Sequence, residues 1–122
     1  MSSRRRRGQI AYTSGLAAED KACAALVADG WSILGRRLRT PAGEIDAVAE
    51  KAGLLAIIEV KHRPVLADAV FALTERQQAR LIAACDLLLI EHPEWGSAGV
   101  RFDLLVVDRL GQVRRVADAF RG

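Results

Sequence analysis

The stretch Gly43-Glu44-Ile45-Asp46-Ala47-Val48-Ala49-Glu50-Lys51-Ala52-Gly53-Leu54-Leu55-Ala56-Ile57-Ile58-Glu59-Val60-Lys61 decides how this chain folds. Its second half is a run of apolar residues ending in Glu-Val-Lys, which reads as a strand buried on both faces. An acid and an amine at the end of such a strand are costly unless they pair or bind a metal. Side chains alternate along a strand, so Glu59 and Lys61 point to the same face. Glu50-Lys51-Ala52-Gly53 reads as a turn, with Gly53 able to take positive φ. If Lys51 pairs with Leu54 across a two-residue loop, Asp46 falls directly opposite Glu59 on a shared face. A three-residue loop shifts the pairing by one. In the first register two carboxylates and one ammonium converge, and the carboxylates repel unless a cation lies between them. Oxygen ligands of this kind suit Mg²⁺ or Mn²⁺, with waters completing the shell.

Upstream of the hairpin, Thr40-Pro41-Ala42-Gly43 is a turn. A strand from Trp31 to Arg39 is expected before it. Arg36, Arg37 and Arg39 make a basic patch near the end of that strand. They can line a nucleic-acid groove or serve as a solvated edge that discourages sheet-to-sheet pairing. Ser14 is a good N-cap for a helix to about Asp29, with Gly30 as its C′ residue. Leu16, Cys23, Leu26 and Val27 form the apolar stripe of that helix, and Glu19 falls within it. An acid there either reaches the metal site or pairs with an arginine at the helix edge.

Downstream, residues 64–73 read as a loop or a short helical turn. Thr74-Glu75-Arg76-Gln77 matches a capping box opening a long helix, which Pro93 and Gly96 bound. Arg101–Val107 is a strand. Asp108–Gly111 turns it, Gln112–Val116 returns as a short edge strand, and Asp118–Phe120 makes a final turn. Asp103 is expected to bond Arg101 or Arg63 inside the fold. The order α-β-β-β-α-β-(β) predicts an α/β fold: one domain with a mixed central β-sheet flanked by helices.

A chain of 122 residues is one domain, and 51% hydrophobic with 27% charged residues is a globular composition. The net charge of +3 is unevenly placed. Arg4, Arg5, Arg6 and Arg7 supply four positives, leaving 14 basic against 15 acidic residues in 8–122. Residues 1–12 are expected to be a disordered basic arm that contacts nucleic-acid phosphates, and 13–122 the folded domain. Cys23 and Cys85 have no partners at zinc spacing and read as buried thiols of a reducing compartment. No segment approaches the roughly 20 apolar residues that span a bilayer. No apolar stretch follows the arginines as an export signal requires, so a cytoplasmic location is expected.

An Asp followed about a dozen residues later by Glu-x-Lys at the end of an apolar strand resembles the PD-(D/E)XK nuclease motif. Ile45 stands where that motif usually has Pro. More specifically, the chain resembles the YraN-like family of small bacterial predicted endonucleases, related in fold to archaeal Holliday-junction resolvases. The pieces that carry the resemblance are Gly15-Leu16-Ala17-Ala18-Glu19, Gly43-Glu44-Ile45-Asp46, Glu59-Val60-Lys61-His62-Arg63, Thr74-Glu75-Arg76-Gln77-Gln78 and Arg101-Phe102-Asp103. They run in family order over nearly the whole chain after the arm.

The resemblance implies a restriction-endonuclease-like core and metal-dependent hydrolysis of phosphodiester bonds; DNA is the substrate expected ahead of RNA, in branched or single-stranded structures. In that reading Asp46 and Glu59 ligate Mg²⁺ or Mn²⁺ with the Val60 carbonyl. Lys61 orients the water and stabilises charge at phosphorus, and Glu19 and Gln77 support the site. A homodimer is expected by fold analogy alone. The alternative is a non-catalytic nucleic-acid-binding or complex-assembly module with the same fold. In a purely structural reading, Asp46 pairs with Lys61 and Glu59 is solvated.

Overall fold

The computed structural model describes the backbone of residues 3–64 and 73–121, with side chains from Gly15 onward. The element order is α1 (Ser3–Ala28), β1 (Ser32–Thr40), β2 (Gly43–Lys51), β3 (Leu54–His62), α2 (Glu75–Glu91), β4 (Val100–Val107) and β5 (Val113–Phe120). The five strands form one sheet in the order β1-β2-β3-β4-β5. β3 and β4 are parallel, with α2 as their crossover, and every other neighbouring pair is antiparallel.

The helices cover opposite faces. Ala18, Ala22, Cys23 and Leu26 of α1 pack with Ala47, Ala49, Ala56, Ile58 and Leu105. Leu81, Ala84, Cys85 and Leu88 of α2 pack with Ile45, Val48, Leu55 and Ile57. β3 therefore feeds both layers by alternation, as an apolar run at the centre of a sheet must. Fully buried Leu26, Ile57 and Leu81 each contribute roughly 1.5–3 kcal/mol of hydrophobic stabilisation. Cys23 and Cys85 are free thiols lying in the two separate layers.

Local chemistry sets the ends of the elements. α1 closes in a Schellman arrangement: Gly30 N–H donates to Val27 O and Trp31 N–H to Leu26 O, both at 3.0 Å, with Gly30 at φ +89°. α2 opens with the expected capping box. Thr74 Oγ1 accepts from Gln77 N–H, and Gln77 Oε1 accepts from Thr74 N–H. β2 and β3 join through Ala52 (φ 50°) and Gly53 (φ 80°), a two-residue turn with both residues left-handed. Lys51 pairs with Leu54, so the two-residue loop is the one adopted.

Two expectations need correcting. α1 starts inside the segment expected to be a disordered arm, not at Ser14. Arg, Gln and Ala are good helix formers, and no proline interrupts 3–14. The side chains of Arg4, Arg5, Arg6 and Arg7 lie outside the described residues. β5 is longer than the expected 112–116 and has no final turn: it continues to Phe120 through a register shift opposite β4. Asp118 takes φ 54° there, its amide donates to Asp103 Oδ1, and Phe120 stacks on Phe102 at 4.7 Å. The loop or helical turn expected over 64–73 falls largely on residues 65–72, outside the described residues. No helix among the described residues is long and apolar enough to cross a membrane.

Candidate active site

The β2–β3 ladder ends at Ala47↔Ile58, one step short of Asp46 and Glu59. The reason lies in β1 and β2. Arg36 pairs with Ala47, and both belong to the α1 side: Ala47 by packing, Arg36 through its 2.8 Å bond to Asp20. Leu38 pairs with Ile45, and both pack on the α2 side. Residues two apart on a regular strand share a face. The hairpin therefore switches faces at the intervening residues, Arg37 and Asp46. Arg37 takes up the switch with φ 50°, a conformation costly for a long side chain. Asp46 leaves the ladder, and its carboxylate replaces the missing backbone partner: Oδ2 accepts from Val60 N–H at 2.8 Å.

Glu59 is only 6% exposed. Its Oε1 lies 3.3 Å from Lys61 Nζ, so the two share a face as alternation requires. Its Oε2 is buried and has no hydrogen-bond partner among the described residues. A buried carboxylate oxygen left unpaired is costly, and a cation would relieve it. Asp46 is half-buried, and its pKa is pushed up to about 7. Burial contributes most and the charge of Glu59 next, with Glu19 adding to the rise. The Val60 amide and Lys61 oppose the shift without cancelling it. The Asp46–Lys61 ion pair with a solvated Glu59 is thus not the arrangement adopted.

Glu19 is buried and accepts from Arg37 Nε at 2.8 Å, with Arg36 at 3.9 Å. It stands close enough to act on Asp46 electrostatically, but its hydrogen bond is to β1. Gln77 spends its side-chain oxygen in the cap of α2. Arg36 and Arg37 are engaged by the acids of α1, while Arg39 is 90% exposed and only 3.7 Å from Glu44. Among the described residues, no group of three or more His, Cys, Asp or Glu side chains gathers as a metal cage. Any cation here would rest on two carboxylates, a carbonyl and water, the sparse protein shell that suits Mg²⁺. A cleft of about 720 Å³ lies at the opposite end of the sheet, beside Ile82, Leu89, Phe102 and Phe120, and contains none of these acids.

Asp103 is the buried acid whose role the sequence left half-specified. Its carboxylate accepts from Arg101 and Arg115 and from the Asp118 amide, at 2.6–3.0 Å. Burial alone would raise its pKa, but Arg101, the Asp118 amide and Arg115 together hold it below the ordinary carboxylate value. Of the two alternatives expected, Arg101 is the one bonded, and Arg115 joins it. Both guanidinium groups also lie over the ring of Trp31, at 5.4 Å (Arg101) and 4.6 Å (Arg115). No local signal marked Arg115, because the contact crosses from one strand to the next.

Residues 18–107 match the model of the "Uncharacterised protein family UPF0102", a span that contains Glu19, Asp46, Glu59, Lys61 and Gln77. A UPF0102 protein of Granulibacter bethesdensis is 63% identical over 115 residues, covering 94% of this chain and 73% of that protein. One from Azorhizobium caulinodans is 48% identical, covering 95% and 88% respectively. A third, from Rhodopseudomonas palustris, is 48% identical over 90% of this chain and 85% of its own length. By family model and by relatives over nearly its full length, this chain belongs to the UPF0102 family.

Proposed function

We propose that this protein is a metal-dependent nuclease that hydrolyses phosphodiester bonds in DNA. The observation that carries the reading is the buried Glu59 Oε2, without a hydrogen-bond partner among the described residues, beside Asp46 and Lys61 at the end of an otherwise apolar strand. Lys61 compensates one oxygen of Glu59, and the second buried oxygen beside Asp46 lowers stability unless a ligand meets it. The donor set fits Mg²⁺ or Mn²⁺: Asp46, Glu59 and the Val60 carbonyl would hold it. When bound, the ion lowers the pKa of a water and polarises the phosphate.

The chain's own residues do the rest. Lys61 places a positive charge where negative charge builds on the phosphoryl oxygens, and it can orient the attacking water. Glu59 fixes the Lys61 ammonium at 3.3 Å, so little reorganisation is needed during reaction. The Val60 amide holds Asp46 in one orientation, and the Arg37–Glu19 bond braces β1 behind it.

The test is cleavage of labelled single-stranded, duplex, flap and four-way-junction DNA in Mg²⁺ and in Mn²⁺, wild type beside Glu59→Gln. Cutting that disappears in the variant is the expected result. Equal cutting by both proteins, or none by either, would overturn the reading.

The second reading is a nucleic-acid-binding or assembly module without catalysis. It is favoured by the capping role of Gln77 and by the lack of a third acidic ligand among the described residues. It predicts DNA binding with no change in melting temperature on adding Mn²⁺, whereas an ion that binds only the folded chain must raise that temperature.

A further inference from the structure

Two of the three strand arginines best placed by sequence to meet a nucleic acid are occupied elsewhere. Arg36 bonds Asp20 and Arg37 bonds Glu19. Other cations stand near the site. Arg76 and Arg80 lie one helical turn apart on α2, so they are neighbours on one face of it. Both are exposed, and neither makes an ion pair among the described residues.

Arg80 is also seated. Gly43 opens β2 at φ 141°, and a Cβ built on it would lie 2.8 Å from Arg80 Cδ and 3.0 Å from Cγ. The stem of Arg80 therefore runs across bare backbone at the β1–β2 turn, where a side chain would displace it. Gly43 is three residues from Asp46, roughly 10 Å along an extended strand. Arg39, in register with Glu44, is exposed at the same turn. α2 begins at the carboxyl end of β3, so all three arginines are at the end of the sheet that carries Glu59 and Lys61.

We propose that Arg76, Arg80 and Arg39 form a ledge that binds nucleic-acid phosphates flanking the one to be cleaved. The proposal rests on the nuclease reading for its substrate class. Guanidinium groups suit the task, because they stay charged and donate in a planar fork to phosphate oxygens. Packing of the Arg80 stem on Gly43 reduces the rotamer freedom lost on binding.

The test is binding of a fluorescent DNA duplex in EDTA across 50–200 mM KCl, for wild type, Arg76→Ala/Arg80→Ala and Arg109→Ala/Arg114→Ala. The last pair removes the same charge from exposed positions on and near β5. Two lost phosphate contacts should make the slope of log affinity against log salt less negative by roughly 1.8. The control pair should leave the slope at the wild-type value. Melting temperatures of all three should coincide, since the substituted side chains are exposed. Equal slopes for wild type and the ledge variant overturn the ledge while leaving the hydrolysis reading to its own cleavage assay. An equal loss in both variants also overturns it, by assigning the effect to net charge. Absence of wild-type binding does so as well. A second variant, Gly43→Ala, removes the seat and not the charge, with added strain at φ 141°; it should weaken binding, and adding it to Arg80→Ala should weaken binding no further than Arg80→Ala alone. If it binds like wild type while Arg80→Ala does not, the seat plays no part and this half of the proposal is overturned.

Discussion

Asp46 with Glu59 and Asp103 with its arginines are two ways of placing acids within the same sheet. Asp103 is 1% exposed and is met by two guanidinium groups and a backbone amide, with its pKa held down. Among the described residues Glu59 keeps one oxygen without a partner, and Asp46 accepts one amide, with its pKa held up. Both groups are polar, both sit on central strands, and both cost desolvation. Among the described residues, one is fully satisfied and the other is not. The difference teaches that burial of an acid alone does not mark a site. What marks it is burial that the surrounding residues leave uncompensated.

The largest expected effect breaks the satisfied cluster. Asp103→Ala leaves Arg101 and Arg115 facing each other without their acid, and should cost about 3–5 kcal/mol in urea unfolding. A loss under about 1 kcal/mol would mean that the network is not what holds β5 to β4. Glu59→Gln should do the opposite. Cleavage falls by about a hundredfold or more, while the melting temperature in metal-free buffer does not drop. A melting temperature lowered as far as that of Asp103→Ala would place Glu59 with the structural acids.

The pH dependence sharpens the comparison. With Asp46 near 7 against an ordinary value of 3.8, the folded chain binds a proton more tightly than the unfolded chain between those limits. Stability should therefore fall as pH rises from about 4 to about 7 and level off above, by about 1–2 kcal/mol after solvent screening of this half-buried group. Asp46→Asn should remove that slope, measured by melting in EDTA. Asp103 behaves in the reverse sense: its contribution is complete above the ordinary carboxylate range and is lost as pH falls through its lowered value. The smallest effect concerns Gln77. Thr74→Ala should cost about 1 kcal/mol through the lost cap and leave cleavage per folded molecule unchanged. If Gln77→Ala costs far more cleavage than Thr74→Ala, Gln77 touches the reaction as well as the cap.

The hairpin was legible because its information is local. Alternation, a turn residue tolerant of positive φ and an apolar run pointed to the Lys51↔Leu54 register over a one-residue shift, and the two-residue turn adopted brings Asp46 and Glu59 near each other just past the end of the ladder. The α2 cap was legible for the same reason, since Thr74 and Gln77 satisfy each other within one turn. What could not be read was non-local. The face switch at Arg37 sends Arg36 and Arg37 toward α1, and nothing in Gly35-Arg36-Arg37-Leu38 announces it. β5 passes through Asp118 only because Asp103, on another strand, accepts its amide. Lys61 pairs with Glu59 while Asp46 accepts the Val60 amide, a division of partners that needs three dimensions to see.

The two-residue turn at Ala52-Gly53 also governs the order in which the molecule comes together. A hairpin closes in about 1–10 μs from contacts near in sequence, whereas pairing β3 with β4 must wait for a crossover through α2. Asp46 and Glu59 therefore meet during the first local step, and Asp103 finds Arg115 only when the last strand arrives. The hairpin register alone brings Asp46, Glu59 and Lys61 to one end of two neighbouring strands. What the rest of the fold adds is the withdrawal of water from around them.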